Sequence, residues 1–235
     1  MSNPQAKKSD LGVRIASAVV MIAVAGTALW LGGWVWTAFV ALVALGVLWE
    51  WRGLTSKLAS STATRAAWMF GGIAYIVPAA LALWFIRNAP ALAHKGTFMV
   101  LSVVIPVIAT DIGAYFAGRA IGGPKIAPKI SPSKTWAGLA GGMLASGTAF
   151  AWLTTASRTP EDMVPSGIPM EAVAIGMVIA VLAQSGDFFE SWMKRRAGVK
   201  DSGKMIPGHG GLFDRVDGLL AVLFVVGAFG LIFGR

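Results

Sequence analysis

Seven apolar runs, roughly 12–31, 34–51, 66–86, 96–117, 135–155, 170–192 and 212–233, follow one another along the chain with short polar joins. Each is close to the ~20 residues a helix needs to cross the hydrocarbon core of a bilayer. In that medium every backbone N–H and C=O must be satisfied within the protein, which favours helices over isolated strands. A membrane β-barrel would show ten-residue segments of alternating polarity, and the sequence lacks them. Charged residues make up only 13% of the chain, against about a quarter in a soluble domain. The expected fold class is therefore an all-α polytopic integral membrane protein of about seven transmembrane helices, eight or nine if spans are broken. The first run is longer than the apolar core of a signal peptide, and further spans follow it. The chain has no cysteine, so disulfides and thiolate metal sites are excluded.

The basic residues set an orientation. With the N-terminus in the cytoplasm, the inner segments 1–11, 53–65, 118–134 and 193–211 carry most of the Lys and Arg. The outer segments hold only Arg87, Lys95, Arg158 and Arg235. That asymmetry follows the positive-inside rule, and it accounts for a net charge of +9 without nucleic acid as a partner. All ten Trp fall near span ends, as an interfacial belt would: Trp30, Trp34, Trp36, Trp84 and Trp152 outer, Trp49, Trp51, Trp68, Trp136 and Trp192 inner. Residues 1–11 are expected to be disordered. Pro78 is expected to kink the third span and Pro106 to break the fourth. Gly138, Gly141, Gly142 and Gly147 are expected to let the fifth span pack closely.

Chemistry concentrates between Gln184 and Asp217, which holds five of the eleven acids: Asp187, Glu190, Asp201, Asp214 and Asp217. Asp187, Glu190, Ser191 and Lys194 are spaced i, i+3, i+4, i+7 and share one helix face. Two carboxylates and a hydroxyl there are hard oxygen ligands of the kind Mg²⁺ takes. The plainer alternative is a Glu190–Lys194 ion pair, which leaves Asp187 unexplained. The Gly- and Lys-rich segment 195–211 can line an anion site through backbone N–H groups, although positive-inside charge alone accounts for Arg196 and Lys204. Asp214 and Asp217 open the last span on one face. The helix dipole is one reason to find acids there. Joined to Asp187, they would instead make a divalent-metal site holding phosphates, a common device for phosphoryl or nucleotidyl transfer. Asp111, an ionisable residue inside a span, is a further candidate, unless it simply pairs with Arg119. Ser131, Pro132 and Thr135 read as a helix start.

The segment Ser191–Asp217 resembles the signature of the phosphatidate cytidylyltransferases (CDP-diacylglycerol synthases). Ser191, Lys194, Arg195, Lys200, Asp201 and Pro207 match it, followed by His209, Gly210, Gly211, Asp214, Arg215 and Asp217. The segments TDIGAYFAGRAIGG (110–123) and ISPSKTWAG (130–138) are similar to that family too, so the resemblance covers the chain from about residue 97. Ala137 departs from it, where many relatives carry an acid.

The resemblance implies that CTP and phosphatidic acid give CDP-diacylglycerol and pyrophosphate. It implies Mg²⁺ as cofactor, held by Asp187 and Asp214; Asp217, on the same face as Asp214, joins them as an expected metal ligand, and a monovalent cation such as K⁺ is the expected second ion. Ser191, Lys194, Asp187 and Asp214 become the catalytic set. Ser131, Ser133, Lys134, Arg195, Lys200, His209, Gly210, Gly211 and Arg215 become substrate contacts. The implied setting is a homodimer in a bacterial-type inner membrane, its active site facing the cytoplasm. Residues 1–95 then form a scaffold and 96–235 the catalytic region of one membrane domain.

Three other readings fit less well. A CDP-alcohol phosphotransferase needs D-G-x-x-A-R, which Asp111-Ile-Gly-Ala does not supply. The two Ser-x-x-Lys motifs, Ser131–Lys134 and Ser191–Lys194, lack the S-D-N and K-T-G partners of acyl-enzymes. A transporter would carry polar residues at mid-bilayer and repeated halves, whereas these acids gather at one interface.

Overall fold

A computed structural model describes residues 4–88, 95–156 and 169–233. The joins expected around Arg87–Lys95 and Ala156–Pro169, with Arg158, Glu161 and Asp162, lie largely outside the described residues, as does Arg235. Seven helices account for most of the described chain: α1 (Pro4–Leu31), α2 (Gly33–Leu58), α3 (Thr62–Asn88), α4 (Gly96–Ala120), α5 (Trp136–Ala156), α6 (Met170–Arg196) and α7 (Phe213–Phe233). Five of them, α1, α2, α3, α4 and α6, are long and apolar enough to cross a membrane. The other two have 21 residues each: α5 is rich in Gly, Ala, Ser and Thr, and α7 opens on the three charges of Asp-Arg-x-Asp (Asp214, Arg215 and Asp217). The protein is thus an α-helical membrane protein.

Local chemistry sets the helix ends. Gly32 and Gly33 take positive φ (63° and 50°) in the join between α1 and α2, a conformation Gly adopts without steric cost. Ser61 and Thr64 cap α3 reciprocally, each hydroxyl accepting the other's backbone N–H at 3.2 and 2.9 Å.

Four expectations change. The helix begins at Pro4 rather than after a disordered 1–11. Pro is well placed in a first turn, and Gln5, Ala6, Lys7 and Lys8 are good helix formers. Pro106 lies inside α4 without breaking it. It forfeits one backbone bond, a loss that surrounding helices make tolerable in a membrane helix. The expected helix start at Ser131 is a strand: β1 (Lys125–Ala127) pairs antiparallel with β2 (Ser131–Thr135). Pro132 cannot donate to a ladder, which suits an edge strand. Only Thr135 acts as a cap, its hydroxyl accepting the Gly138 N–H at 3.0 Å. Finally, Trp36 and Trp51 are buried, at 3% and 2% exposure, instead of standing in the interfacial belt. Trp51 satisfies its indole N–H internally, on the Trp68 carbonyl at 2.8 Å, and so needs no water.

Small residues bring α4, α5 and α6 together. A Cβ on Gly113 would stand 2.5 Å from the Gly141 carbonyl oxygen, and one on Gly142 3.0 Å from that of Thr110. Gly147 likewise faces the Val173 carbonyl at 3.0 Å. This is the close approach expected of the fifth span. The main core lies between α2, α3, α6 and α7, around Trp51, Ile76, Met193 and Phe213. Its rings cluster on Trp51, whose centroid lies 5.9–6.3 Å from those of Trp68, Tyr75, Phe189 and Phe213.

Candidate active site

The α6–α7 crossing builds the site. Gly186 and Gly218 let the two helices touch through backbone: their Cβ positions would fall 2.5 Å from the Asp217 oxygen and 3.1 Å from the Ala183 oxygen. The residues beside them, Asp187 on α6 and Asp217 on α7, are thereby drawn together.

Lys194 occupies the centre. Its Nζ donates to Glu190 Oε2 and to Asp214 Oδ1, both at 2.6 Å. The expected Glu190–Lys194 pair therefore exists, and Asp214 joins it from the next helix. Glu190 is fully buried, and the Asp214 side chain is 5% exposed. The second oxygen of Asp214 accepts the Ser202 N–H (2.9 Å), the Ser202 hydroxyl (2.9 Å) and the Gly211 N–H (2.8 Å). The 195–211 loop thus does turn backbone donors inward, toward a carboxylate of its own helix.

One turn deeper, Ser191 donates to Asp187 Oδ1 at 3.1 Å, while Asp187 Oδ2 pairs with Lys134 from the end of β2. Lys134 also stands 5.0 Å from the centroid of the Phe188 ring. Asp187 remains open, its side chain 32% exposed. Asp217 accepts the Gly218 N–H at 2.8 Å and lies within electrostatic reach of Asp187, Lys194 and Asp111. Asp111 is in reach of Lys134, Asp187 and Arg215. Arg119 turns instead to the Tyr115 hydroxyl, 3.0 Å away, so the Asp111–Arg119 alternative does not describe the site.

The other sequence candidates ring this cluster. Arg195 approaches the Ile130 carbonyl at 3.4 Å and so ties the end of α6 to the hairpin. Ser131 is buried within β2, whereas Ser133, Lys200 and Arg215 are exposed. Gly210 takes φ 83° in the turn that presents the Gly211 N–H. His209 turns to α1, its Nδ1 2.7 Å from the Ser17 hydroxyl. Neither Ser-x-x-Lys pair forms a nucleophile–base contact, since Ser191 faces Asp187, and both lysines are held by acids.

Sequence reasoning missed Glu50 and Ser202. Glu50, from α2, is 3% exposed and accepts the first N–H groups of α7 as well as the Ser202 hydroxyl. Its one legible signal was an acid at the end of an apolar run, between Trp49 and Trp51. Among the described residues no three His, Asp or Glu side chains stand close enough together to cage a metal.

Comparison with known proteins bears on this geometry. The model of the cytidylyltransferase family matches residues 12–90 and 60–233. A phosphatidate cytidylyltransferase of Brucella melitensis is 31% identical over 97% of this chain and 96% of its own length. One from Rickettsia bellii is 34% identical over 91% of the chain and 88% of its own. One from Haemophilus influenzae is 46% identical over 55% of the chain and 44% of its own.

Proposed function

The chain belongs to the cytidylyltransferase family, and from that premise we propose that it transfers the cytidylyl group of CTP to phosphatidic acid. A phosphate oxygen of the lipid attacks the α-phosphorus of CTP. The bond from that phosphorus to the bridging oxygen breaks, and pyrophosphate leaves as CDP-diacylglycerol forms. The observation that carries this reading is the convergence, where α6 and α7 meet, of Ser191, Lys194 and Asp214 from the family-like signature with Asp187 one turn before it.

Positioning and charge stabilisation supply most of the catalysis in such a transfer. Lys134, Lys194 and Arg215 are the cations at the cluster, suited to phosphate oxygens. Arg195 and Lys200, both exposed, are the further cations proposed to meet substrate. Ser191 holds the Asp187 carboxylate at a fixed angle through its hydrogen bond.

The balance of charge at the cluster favours a cation. Glu50, Asp111, Asp187, Glu190, Asp214 and Asp217 outnumber Lys134, Lys194 and Arg215, and Glu190 Oε1 is buried with no hydrogen-bond partner. Hard carboxylate oxygens suit Mg²⁺. Asp187, Asp214 and Asp217 are the residues that would hold it. Bound there, Mg²⁺ would draw charge from the reacting phosphates. A monovalent cation such as K⁺ is proposed as a second ion beside it.

Seven spans with the N-terminus in the cytoplasm, adding α5 and α7 to the five long apolar helices, would put this cluster at the cytoplasmic face of a bacterial inner membrane. There, phosphatidate at headgroup depth meets CTP from the cytoplasm. A homodimer is the proposed assembly. The test is purified protein in detergent given phosphatidic acid and radiolabelled CTP, with and without Mg²⁺. Mg²⁺-dependent label in the lipid phase is expected. Folded protein that leaves all label in the aqueous phase, with Mg²⁺ and K⁺ present, overturns the reading.

A further inference from the structure

Glu50 is a carboxylate almost wholly removed from solvent, in a helix of the N-terminal region, 152 to 163 residues from its partners. Its Oε1 accepts the Leu212 N–H at 3.0 Å, and its Oε2 accepts the Phe213 N–H at 2.8 Å and the Ser202 hydroxyl at 2.9 Å. Among the described residues no Lys or Arg is paired with it. Burying an unpaired carboxylate costs several kcal/mol unless hydrogen bonds replace its water, and the positive end of α7 supplies them.

The space is made for it. A Cβ on Gly211 would stand 2.5 Å from Glu50 Oε2, and one on Gly203 would collide with Oε1. A local Ser or Asp could cap α7 more simply. Capping alone therefore does not account for an acid reaching in from α2.

What a local cap could not do is meet Asp214. The three successive amides 211, 212 and 213 are divided between two carboxylates, Asp214 taking the first and Glu50 the other two. The Ser202 hydroxyl lies 2.9 Å from an oxygen of each. A hydroxyl has one proton to donate, so its orientation is shared between the two acids. The Asp214 oxygen facing Lys194 is fixed only as well as the other one is held.

We propose that Glu50 is a positioning residue for Asp214. It anchors the start of α7 and, through the Ser202 hydroxyl, sets the angle at which the Asp214 carboxylate meets Lys194. The proposal rests on the reading of Asp214 as a site residue and extends it to the N-terminal region.

Ser202→Ala separates this from the cap that Glu50 makes, because it removes the link and keeps both Glu50–amide bonds, giving up besides only the long contact of the Asp214 N–H to the Ser202 hydroxyl at 3.3 Å. We expect a melting temperature close to wild type and a kcat lower by about 10–100-fold, the scale of a small misplacement of a reacting group. KM for CTP should change little. Glu50→Gln should lower kcat likewise and speed hydrogen exchange at the amides of residues 211–213. The double variant should be no slower than the slower single, as expected of residues acting through one link. Ser202→Ala turning over at the wild-type rate, or a double variant whose losses multiply, overturns the proposal, including where Glu50→Gln does not fold. If wild-type protein makes no labelled lipid, the cytidylyl-transfer reading falls. Amide exchange then decides the positioning claim, and unchanged exchange in Glu50→Gln overturns it.

Discussion

Asp187→Asn and Asp214→Asn remove the same charge from two environments whose consequences should differ. The Asp214 side chain is 5% exposed, with Lys194 on one oxygen and Ser202 and Gly211 on the other. An amide there turns one acceptor into a donor. Placed at Oδ2, its NH₂ faces the two backbone N–H groups. Placed at Oδ1, it faces the Lys194 ammonium. The second orientation loses least, because Lys194 keeps Glu190 at 2.6 Å. Breaking a buried charge pair from one side costs about 3–5 kcal/mol, so with Glu190 retained a loss of about 2–3 kcal/mol is expected. At roughly 2–4 °C per kcal/mol for a chain of this size, Asp214→Asn should melt about 4–12 °C lower. Asp187, 32% exposed, loses an ion pair with Lys134 and an acceptor for Ser191. A pair that open is worth about 0–1 kcal/mol, so its melting point should move by no more than about 4 °C. Both variants should lose turnover about 10²–10³-fold, the usual scale for removing one preorganised charge-stabilising group. Thermal melting of each purified variant beside the labelled-CTP assay reads both quantities. Asp214→Asn melting with wild type would refute the account of its hydrogen bonds. Near-normal turnover in Asp187→Asn would remove Asp187 from the site.

Gly141→Val should be poorly tolerated, because even a Cβ there would collide with Ala117 and stand 2.9 Å from the Gly113 carbonyl oxygen. Overpacking of this kind costs about 1–3 kcal/mol or more, and a lower yield of monodisperse protein in detergent would report it. Arg196→Ala should keep most activity, since Arg196 is exposed and lies over the Trp192 ring, away from the carboxylates. A loss comparable to that in Asp187→Asn would contradict its reading as a topogenic charge. The absence of native cysteine makes single-cysteine labelling clean: Lys129→Cys should react with an impermeant maleimide only from the cytoplasmic side. Labelling from outside intact cells would reverse the proposed orientation.

What the sequence made legible was what repeats or is local. Runs of apolar residues predicted α3 to α7 to within about four positions, because in a bilayer hydrophobic length sets helix length, but α1 starts eight residues before its apolar run and α2 ends seven after, where polar residues continue the helix beyond the hydrocarbon. The i, i+3, i+4, i+7 face of α6 was legible for a similar reason, and the structure sets Asp187, Glu190, Ser191 and Lys194 along it. Contacts between distant segments were not. Glu50 meets Leu212 and Phe213, and Ser17 meets His209, without any periodic trace in the sequence. Trp36 and Trp51 misled because proximity to a span end does not tell a ring facing lipid from one facing a neighbouring helix. The hairpin at Lys125–Thr135 was read as a loop and a helix start because its strands are short and Pro132 suits both readings.

The distribution of small residues connects these points. In lipid, helices gain little from burying apolar surface against each other, so close packing must come from shape. Gly113, Gly141 and Gly142 provide it between α4 and α5, and Gly186 and Gly218 between α6 and α7. The second pair sits beside Asp187 and Asp217, so the fit that holds the helices also fixes the separation of two candidate metal ligands. A substitution such as Gly186→Ala, conservative by size, would push the Asp217 carbonyl from its 2.5 Å approach and widen the site along with the interface. Stability and turnover should therefore fall together there, whereas at Ser202 they should separate. That contrast divides residues that shape the crossing from those that only aim a side chain within it.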